Sequence, residues 1–361
     1  MITVSCWTKI RIFVVVGIVV GLSSLSVYVP SIKAQEAPSI VGSSPLSGLS
    51  GGTGWINSPA LTAKQLKGKV VLVDFWDYSC INCIRAIPYV RAWAEKYKDS
   101  GLVVIGVHAP EFDVEKQAPN VQKAVTKFGI TYPVVLDNNQ AIWDAFHNQA
   151  WPAHYFIDAK GKVRYEHFGE GEYDQSERWI QQLLKEANGT SASASTVKVV
   201  GQGVQATADF RDVSSPETYI GYARAERFSS PGGIKPDKDQ LYSAPTRLQL
   251  NDWGLAGNWT DHKQVAVLTS AAGKIVFRFH ARDLHLVLGA IADGKPVRFR
   301  VTIDGQVPGV NHGEDTDAQG NGVVTEHRLY QLVRQRGPVN DHTLVIGFED
   351  PGVQAFSFTF G

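Results

Sequence analysis

Cys80 and Cys83 are two of the three cysteines in the chain, and two residues separate them. Such a pair can be a structural disulfide, half of a metal knuckle, or a dithiol that exchanges disulfides. Its surroundings, VDFWDYSCINCIRAIP, favour the dithiol. The residues before it form a continuous apolar run, as a buried strand should, and those after it read as a helix. Cys80 therefore falls at a predicted helix N-terminus, where unpaired backbone N–H groups and the helix dipole favour a thiolate. The thiolate is the species that attacks a disulfide. Cys83, one turn further on, faces the same side and can resolve the mixed disulfide. Cys80 is thus expected to be exposed and acidified relative to Cys83. Asp74, near the end of the strand, is expected to be a buried carboxylate with a raised pKa that takes the proton from Cys83. The plainer reading of Asp74 is a strand-end carboxylate in a polar turn.

The other two readings of the pair are weaker. A staple across so short a loop constrains little of the unfolded chain. Exported proteins held by disulfides are small and cysteine-dense, whereas this chain has 361 residues. A metal site would need His108 or His154 to join the cysteines, and structural zinc wants a second close ligand pair. No metal and no separate cofactor are expected. The redox group is the Cys80–Cys83 pair itself.

The stretch VLVDFWDYSCINCIRAIP resembles the active-site segment of thioredoxins. Asp74, six residues before the first cysteine, falls where thioredoxins keep a buried carboxylate. Phe75 and Trp76 match their aromatic pair, and Pro88 matches the proline that kinks the active-site helix. In AWPAHYFIDAKGKV, Pro152 after Trp151 falls where thioredoxin-fold proteins place a cis-proline opposite the cysteines. The resemblance implies a substrate-binding role for Trp151, Pro152 and Trp76, with the backbone of Trp151 pairing to an incoming peptide like an added strand. An ordinary trans turn proline is the alternative that residue spacing alone leaves open. Glu111, in HAPEF after a predicted strand, could tune the thiols or receive a proton; a solvated loop carboxylate is the blander reading.

The longer stretch between these landmarks is similar to the TlpA and ResA-like exported thiol-disulfide oxidoreductases. The nearer likeness is to the soluble C-terminal region of DipZ-type proteins of cytochrome c biogenesis. It rests on CINC, HAPEF, WPAHYFID and FGEGEYD, and in the second half on SPETYIGYARAERF, HGEDTDAQGNG and RLYQLVRQ. This resemblance implies protein disulfides as substrates. It also implies a separate membrane electron donor of the CcdA/DsbD type, because DipZ proteins carry a multi-span electron-carrying domain and this chain has a single apolar run. Ser79 departs from the thioredoxin pattern, which has Trp there.

Positioning these residues takes several segments. Lys9 and Arg11 precede an apolar run over residues 12–29, so residues 1–34 read as a signal peptide or N-terminal membrane anchor. Export to the periplasm or the outer face of the cytoplasmic membrane follows from the positive charges in front of that run. Residues 35–54, rich in Gly, Ser and Pro, read as a flexible tether. Residues 55–188 alternate strands and helices and end in a hairpin and an amphipathic helix. This predicts an α/β thioredoxin-like domain, a mixed sheet flanked by helices. Residues 189–200 form a Ser/Ala linker, which predicts loose coupling of two independent units.

Residues 201–361 show period-two alternation with turn residues between runs, predicting an all-β, jelly-roll-like sandwich. Its architecture is like that of carbohydrate-binding modules, and Tyr242, Trp253 and Trp259 could stack on a glycan or be ordinary sandwich core. Residues 315–326 space oxygen ligands like a calcium loop, with a polar hairpin loop as the alternative. With no cysteine, the sandwich is expected to serve in targeting rather than in chemistry. A formal net charge of +0 excludes the basic field that nucleic-acid binding needs. The reading that follows is an exported thiol-disulfide oxidoreductase that reduces disulfides of envelope proteins. Its alternatives are an envelope binding protein carrying a redox domain as passenger, and a peroxiredoxin-like antioxidant.

Overall fold

The computed structural model describes residues 44–189, 195–291 and 295–361. The apolar leader, the front of the tether and the middle of the Ser/Ala linker lie outside the described residues. Among the described residues no helix is long and apolar enough to cross a membrane. The described residues form one compact unit.

Its first half contains, in order, β1 (Gly54–Ile56), α1 (Ala63–Leu66), β2 (Val70–Trp76), α2 (Ile81–Tyr97), β3 (Leu102–His108), α3 (Ala118–Lys127), β4 (Val134–Leu136), α4 (Ala141–Ala145), β5 (Ala153–Ile157), β6 (Val163–Phe168) and α5 (Tyr173–Asn188). The sheet order is β1-β4-β3-β2-β5-β6. The β2–β3 and β3–β4 pairs are parallel, and the pairs β1–β4, β2–β5 and β5–β6 are antiparallel, which is the expected mixed sheet. β2 is buried along its whole length because both its faces are covered. Val70, Leu72 and Trp76 pack with Cys83, Trp93 and Leu183, while Val71, Val73 and Phe75 pack with Leu49, Ile142 and Phe146. The helix expected from residue 115 starts later, at Ala118, because Pro119 suits a first turn and not an interior.

The tether reading fails from Ser44 onward. Pro45–Gly51 is a 3-10 helix that buries Leu46 and Leu49. Its glycines serve close approach rather than flexibility. A Cβ on Gly48 would sit 2.6 Å from that of Ala145, and one on Gly52 would run into Val135 Cγ2.

The second half carries β7 (Thr218–Tyr219), β8 (Asp239–Tyr242), β9 (Trp253–Asp261), β10 (Ala266–Leu268), β11 (Lys274–His280), β12 (Asp283–Ala290), β13 (Val297–Ile303), β14 (Asn321–Val324), β15 (Arg328–Arg334), β16 (Asp341–Phe348) and β17 (Val353–Phe360). It is one antiparallel sheet, β14-β13-β16-β11-β9-β10-β17-β12-β15, folded over on itself. The fold runs through β9, which pairs with β11 by its first four residues and with β10 and β8 further on. Gly257, at φ 92°, stands at that change of partner, where a side chain would meet the Gly273 backbone. The two arms share a core in which Phe277 of β11 meets Phe358 and Phe360 of β17, with ring centroids 4.8 and 5.4 Å apart.

Two alternatives left open for this half are decided, and one expectation is corrected. Tyr242, Trp253 and Trp259 are buried core residues with no face left for a sugar. Period-two alternation shows which residues share a face, not which face is wet. The carboxylates of residues 315–326 are already engaged: Asp315 by Arg328 and the Gln331 N–H, Asp317 by the N–H groups of Gln319 and Asn321. That is a polar turn before β14, not a converging ligand set. Finally, the two halves are not loosely coupled. Ile81, Ile84 and Phe112 form an apolar cluster with Val287, Leu329 and Phe356.

Candidate active site

Cys80 is the N-cap of α2, and its Sγ accepts the Cys83 N–H at 3.3 Å. The helix starts there because β2 ends at Trp76, and Asp77 turns the chain by accepting the Ser79 N–H at 2.8 Å. Cys80 is half-buried and Cys83 is 1 % exposed; both are free thiols. Pro88 lies inside α2 and has no N–H to give Ile84, four residues back. Gln205, beyond the linker, donates to the Ile84 carbonyl instead, at 3.4 Å.

Burial pushes both thiols up, Cys83 further than Cys80. The contacts with Cys83 pull Cys80 back down, and the charges of Asp77 and Glu217 push it up again. The expected order of the two thiols is kept. Relative to Cys83, Cys80 is the more acidic thiol, although burial raises it above the ordinary thiol value as well.

Asp74 faces the same side of β2 as Leu72 and Trp76, and its Oδ1 lies 3.3 Å from His154 Nε2. The carboxylate whose charge raises both thiols is Asp77. Asp77 Oδ2 also accepts the Glu111 N–H at 3.0 Å. Next to it lies Glu115, fully buried, whose Oε2 accepts the N–H groups of Glu111 and Phe112 and whose Oε1 is 2.5 Å from Ser79 Oγ. Burial first, then the charge of Asp77, hold Glu115 well above the usual carboxylate range. Asp77, Ser79 and Glu115 thus form a buried acid network beneath the cysteines.

The peptide bond Trp151–Pro152 is cis. Trp151 is half-buried, donates its indole N–H to the Ala109 carbonyl at 3.0 Å and borders the space in front of Cys80. Pro152 is buried, with its carbonyl taken by the Gly169 N–H. Trp76 does not reach that space. It is 1 % exposed, because its place on the inner face of β2 puts it beneath α2, edge-on to His108. Its expected substrate contact is corrected to a core role. His108 and His154 are also fully buried. His108 stacks on Tyr78, and burial lowers its pKa. Among the described residues no three His, Cys, Asp or Glu side chains gather to hold a metal.

A cavity of about 290 Å³ opens in front of Cys80, and both halves of the chain line it. Ile81, Asn82, Glu111 and Trp151 form one wall; Glu217, Tyr219, Arg224 and Phe360 lie on the other. Glu111 Oε1 accepts the Tyr219 hydroxyl and the Arg224 guanidinium, both at 2.7 Å, across the two walls. Burial of the carboxyl and the neighbouring Glu111 push Glu217 up to about 7, although the residue as a whole is exposed.

Sequence reasoning missed Asp77, Glu115, Glu217, Tyr219 and Arg224, and it noted Ser79 only as a departure from the thioredoxin pattern. A signal existed for Asp77, a charge set between Trp76 and Tyr78 directly before the cysteines. It existed also for the last three, which share the polar and aromatic stretch SPETYIGYARAERF. Nothing in the sequence marks Glu115, which reaches Ser79 only through the loop after β3.

Residues 57–166 match the AhpC/TSA family, and residues 215–361 match a thioredoxin-like C-terminal domain. The thiol-disulfide oxidoreductase YkuV of Bacillus subtilis is 32% identical over 143 residues, which cover 39% of this chain and 95% of YkuV. The chain belongs to the thioredoxin-like thiol-disulfide oxidoreductases. The protein DipZ of Mycobacterium tuberculosis is 38% identical over 324 residues, covering 87% of this chain. The chain spans 42% of the length of DipZ. The solution structure of an oxidized thioredoxin-like protein is 32% identical and covers 37% of this chain and 90% of its own, at a TM-score of 0.35.

Proposed function

We propose that this enzyme is exported and reduces disulfides of envelope proteins through Cys80 and Cys83. One observation carries the assignment of roles: Cys80 faces the cleft at the helix N-terminus, while Cys83 is closed off one turn behind with its N–H on Cys80 Sγ. Cys80 attacks, a mixed disulfide forms, and Cys83 displaces the substrate thiol. Trp151 supports peptide binding, because among the described residues its N–H and C=O have no hydrogen-bond partner. Asp77, Glu115 and Glu111 are the carboxyl groups placed beside the thiols, and Asp74 stands behind them with His154. The charged and apolar pattern of the leader supports export, and the likeness to DipZ supports a membrane electron donor of the CcdA/DsbD type.

Trapping tests this reading. The Cys83→Ser variant, mixed with oxidised insulin, should accumulate a mixed disulfide on Cys80, visible by intact mass. The Cys80→Ser variant should trap nothing. Capture by Cys80→Ser would reverse the assignment. Insulin reduction at the parent rate by the double variant would remove the pair from the reaction altogether.

A further inference from the structure

The cleft in front of Cys80 is small and carries an unbalanced charge. At about 290 Å³ it lies at the low end for small-ligand clefts, which run from about 300 to 1,000 Å³. It admits a small disulfide or one thin extended segment, not a folded surface. Its charged lining side chains are Glu111, Glu217 and Arg224. Arg224 is already committed: its guanidinium is on Glu111 and lies 3.5 Å from the Tyr219 ring centroid. It acts on Glu217 only through its charge, and the Tyr219 hydroxyl acts on Glu217 through hydrogen bonding. The two carboxyls and one guanidinium therefore leave the cavity wall with a net negative charge centred on Glu217. Asp77 adds a second negative charge behind it and acts on both Cys80 and Glu217. Glu115, held well above the usual carboxylate range by burial and by the charge of Asp77, does not line the cavity. A cleft with a net negative charge concentrates the opposite sign at the nucleophile.

We propose that the second half of the chain selects the substrate: Glu217 favours disulfides flanked by positive charge and opposes those flanked by carboxylates. This deepens, and rests on, the reading of Cys80 as the attacking thiol. The step is balanced. The Cys80 thiolate bonds to one substrate sulfur and expels the first thiol, and Cys83 then closes the Cys80–Cys83 disulfide and expels the second. Two electrons pass to the substrate, and dithiothreitol returns them. Glu217 touches no reacting atom; it is a specificity-determining residue.

Three probes of similar size suit the test: cystamine, neutral hydroxyethyl disulfide and the dianion dithiodipropionate. The full chain reduces each at about pH 8, above the value of about 7 to which Glu217 is pushed. Each rate is divided by that of dithiothreitol alone on the same probe, which removes leaving-group differences. Cystamine should exceed the dianion by on the order of tenfold. The ratio should collapse between about 0.01 M and about 0.5 M salt. Glu217→Gln should slow cystamine and quicken the dianion, and Glu217→Asp should retain the parent order. Equal rates for the three probes, or a charge order that survives Glu217→Gln, would overturn the proposal and leave the thiol assignment standing. Reduction that persists in Cys80→Ser would overturn both.

Discussion

Cys80 and Cys83 differ in what covers them, and single neighbours set the difference. The helix N-terminus that should acidify Cys80 is in place, but it works in a dry site beside a carboxylate. Asp77 raises both thiols through its charge and also ties down the turn by accepting the Ser79 and Glu111 N–H groups. Removing that charge while keeping an acceptor separates the two roles. Asp77→Asn in the Cys83→Ser background should move the pH profile of Cys80 alkylation to lower pH. The sign follows directly, since a negative neighbour disfavours the thiolate and its loss favours it. Loss of one buried hydrogen bond should cost about 1–3 kcal/mol of stability. Asp74→Asn, which sits against His154, should leave the profile where it is. An upward shift in Asp77→Asn, or an equal shift in Asp74→Asn, would return the electrostatic role to Asp74. The sequence showed Asp74 as the carboxylate to watch because the thioredoxin spacing points there. The competing influence of Asp77 depends on how the chain turns after Trp76, which spacing does not reveal.

Among the elements, those with both faces covered were the most legible. β2 and β3 are short apolar runs buried on both sides, and the cysteine pair marks the start of α2. The segment before β1 was misread because composition has two meanings there. Gly and Ser make a chain flexible, and they also let two backbones approach. Pro45–Gly51 uses the second property, lying against α4 with Leu46 and Leu49 turned into the sheet. Gly52 has an ordinary φ of −64°, so the backbone tolerates a side chain and only space forbids one. Gly52→Ala should therefore lower stability through overpacking against Val135, by about 1–3 kcal/mol. Gly68→Ala offers the contrast: its Cβ meets nothing, and only its left-handed φ of 82° opposes the change. Urea denaturation of the two variants reads the difference. If Gly52→Ala is as stable as the parent, the segment is not packed as described. The aromatics of β9 follow the same logic: core and ligand face both stayed open, since alternation does not say that the second face is covered as well.

On the scale of the whole molecule, the linker composition suggested two independent units, and the interface contradicts it. β12 is buried at every one of its eight positions, so its outer face needs a cover. Val287 of β12 and Phe356 of β17 supply part of that face, and Ile81, Ile84 and Phe112 cover it. Phe112 and Phe356 rest with ring centroids 5.1 Å apart. Phe112 belongs to the loop whose N–H groups bind Glu115, so the interface and the acid network share a residue. Coupling of this kind has a thermodynamic signature. Two units joined only by a linker melt independently, whereas units that bury each other's apolar surface melt together. Calorimetry of the chain should show one transition. Phe356→Ala removes the ring at the centre of the contact and should cost about 3–5 kcal/mol. It should also separate the melting of the halves and let water to the helix N-terminus. Cys80 alkylation should then quicken near neutral pH, because the desolvation that raises the thiol is relieved. Two resolved transitions in the parent, or unchanged alkylation in a folded Phe356→Ala, would make the contact incidental. The second half of the chain would then hold no part of the thiol environment.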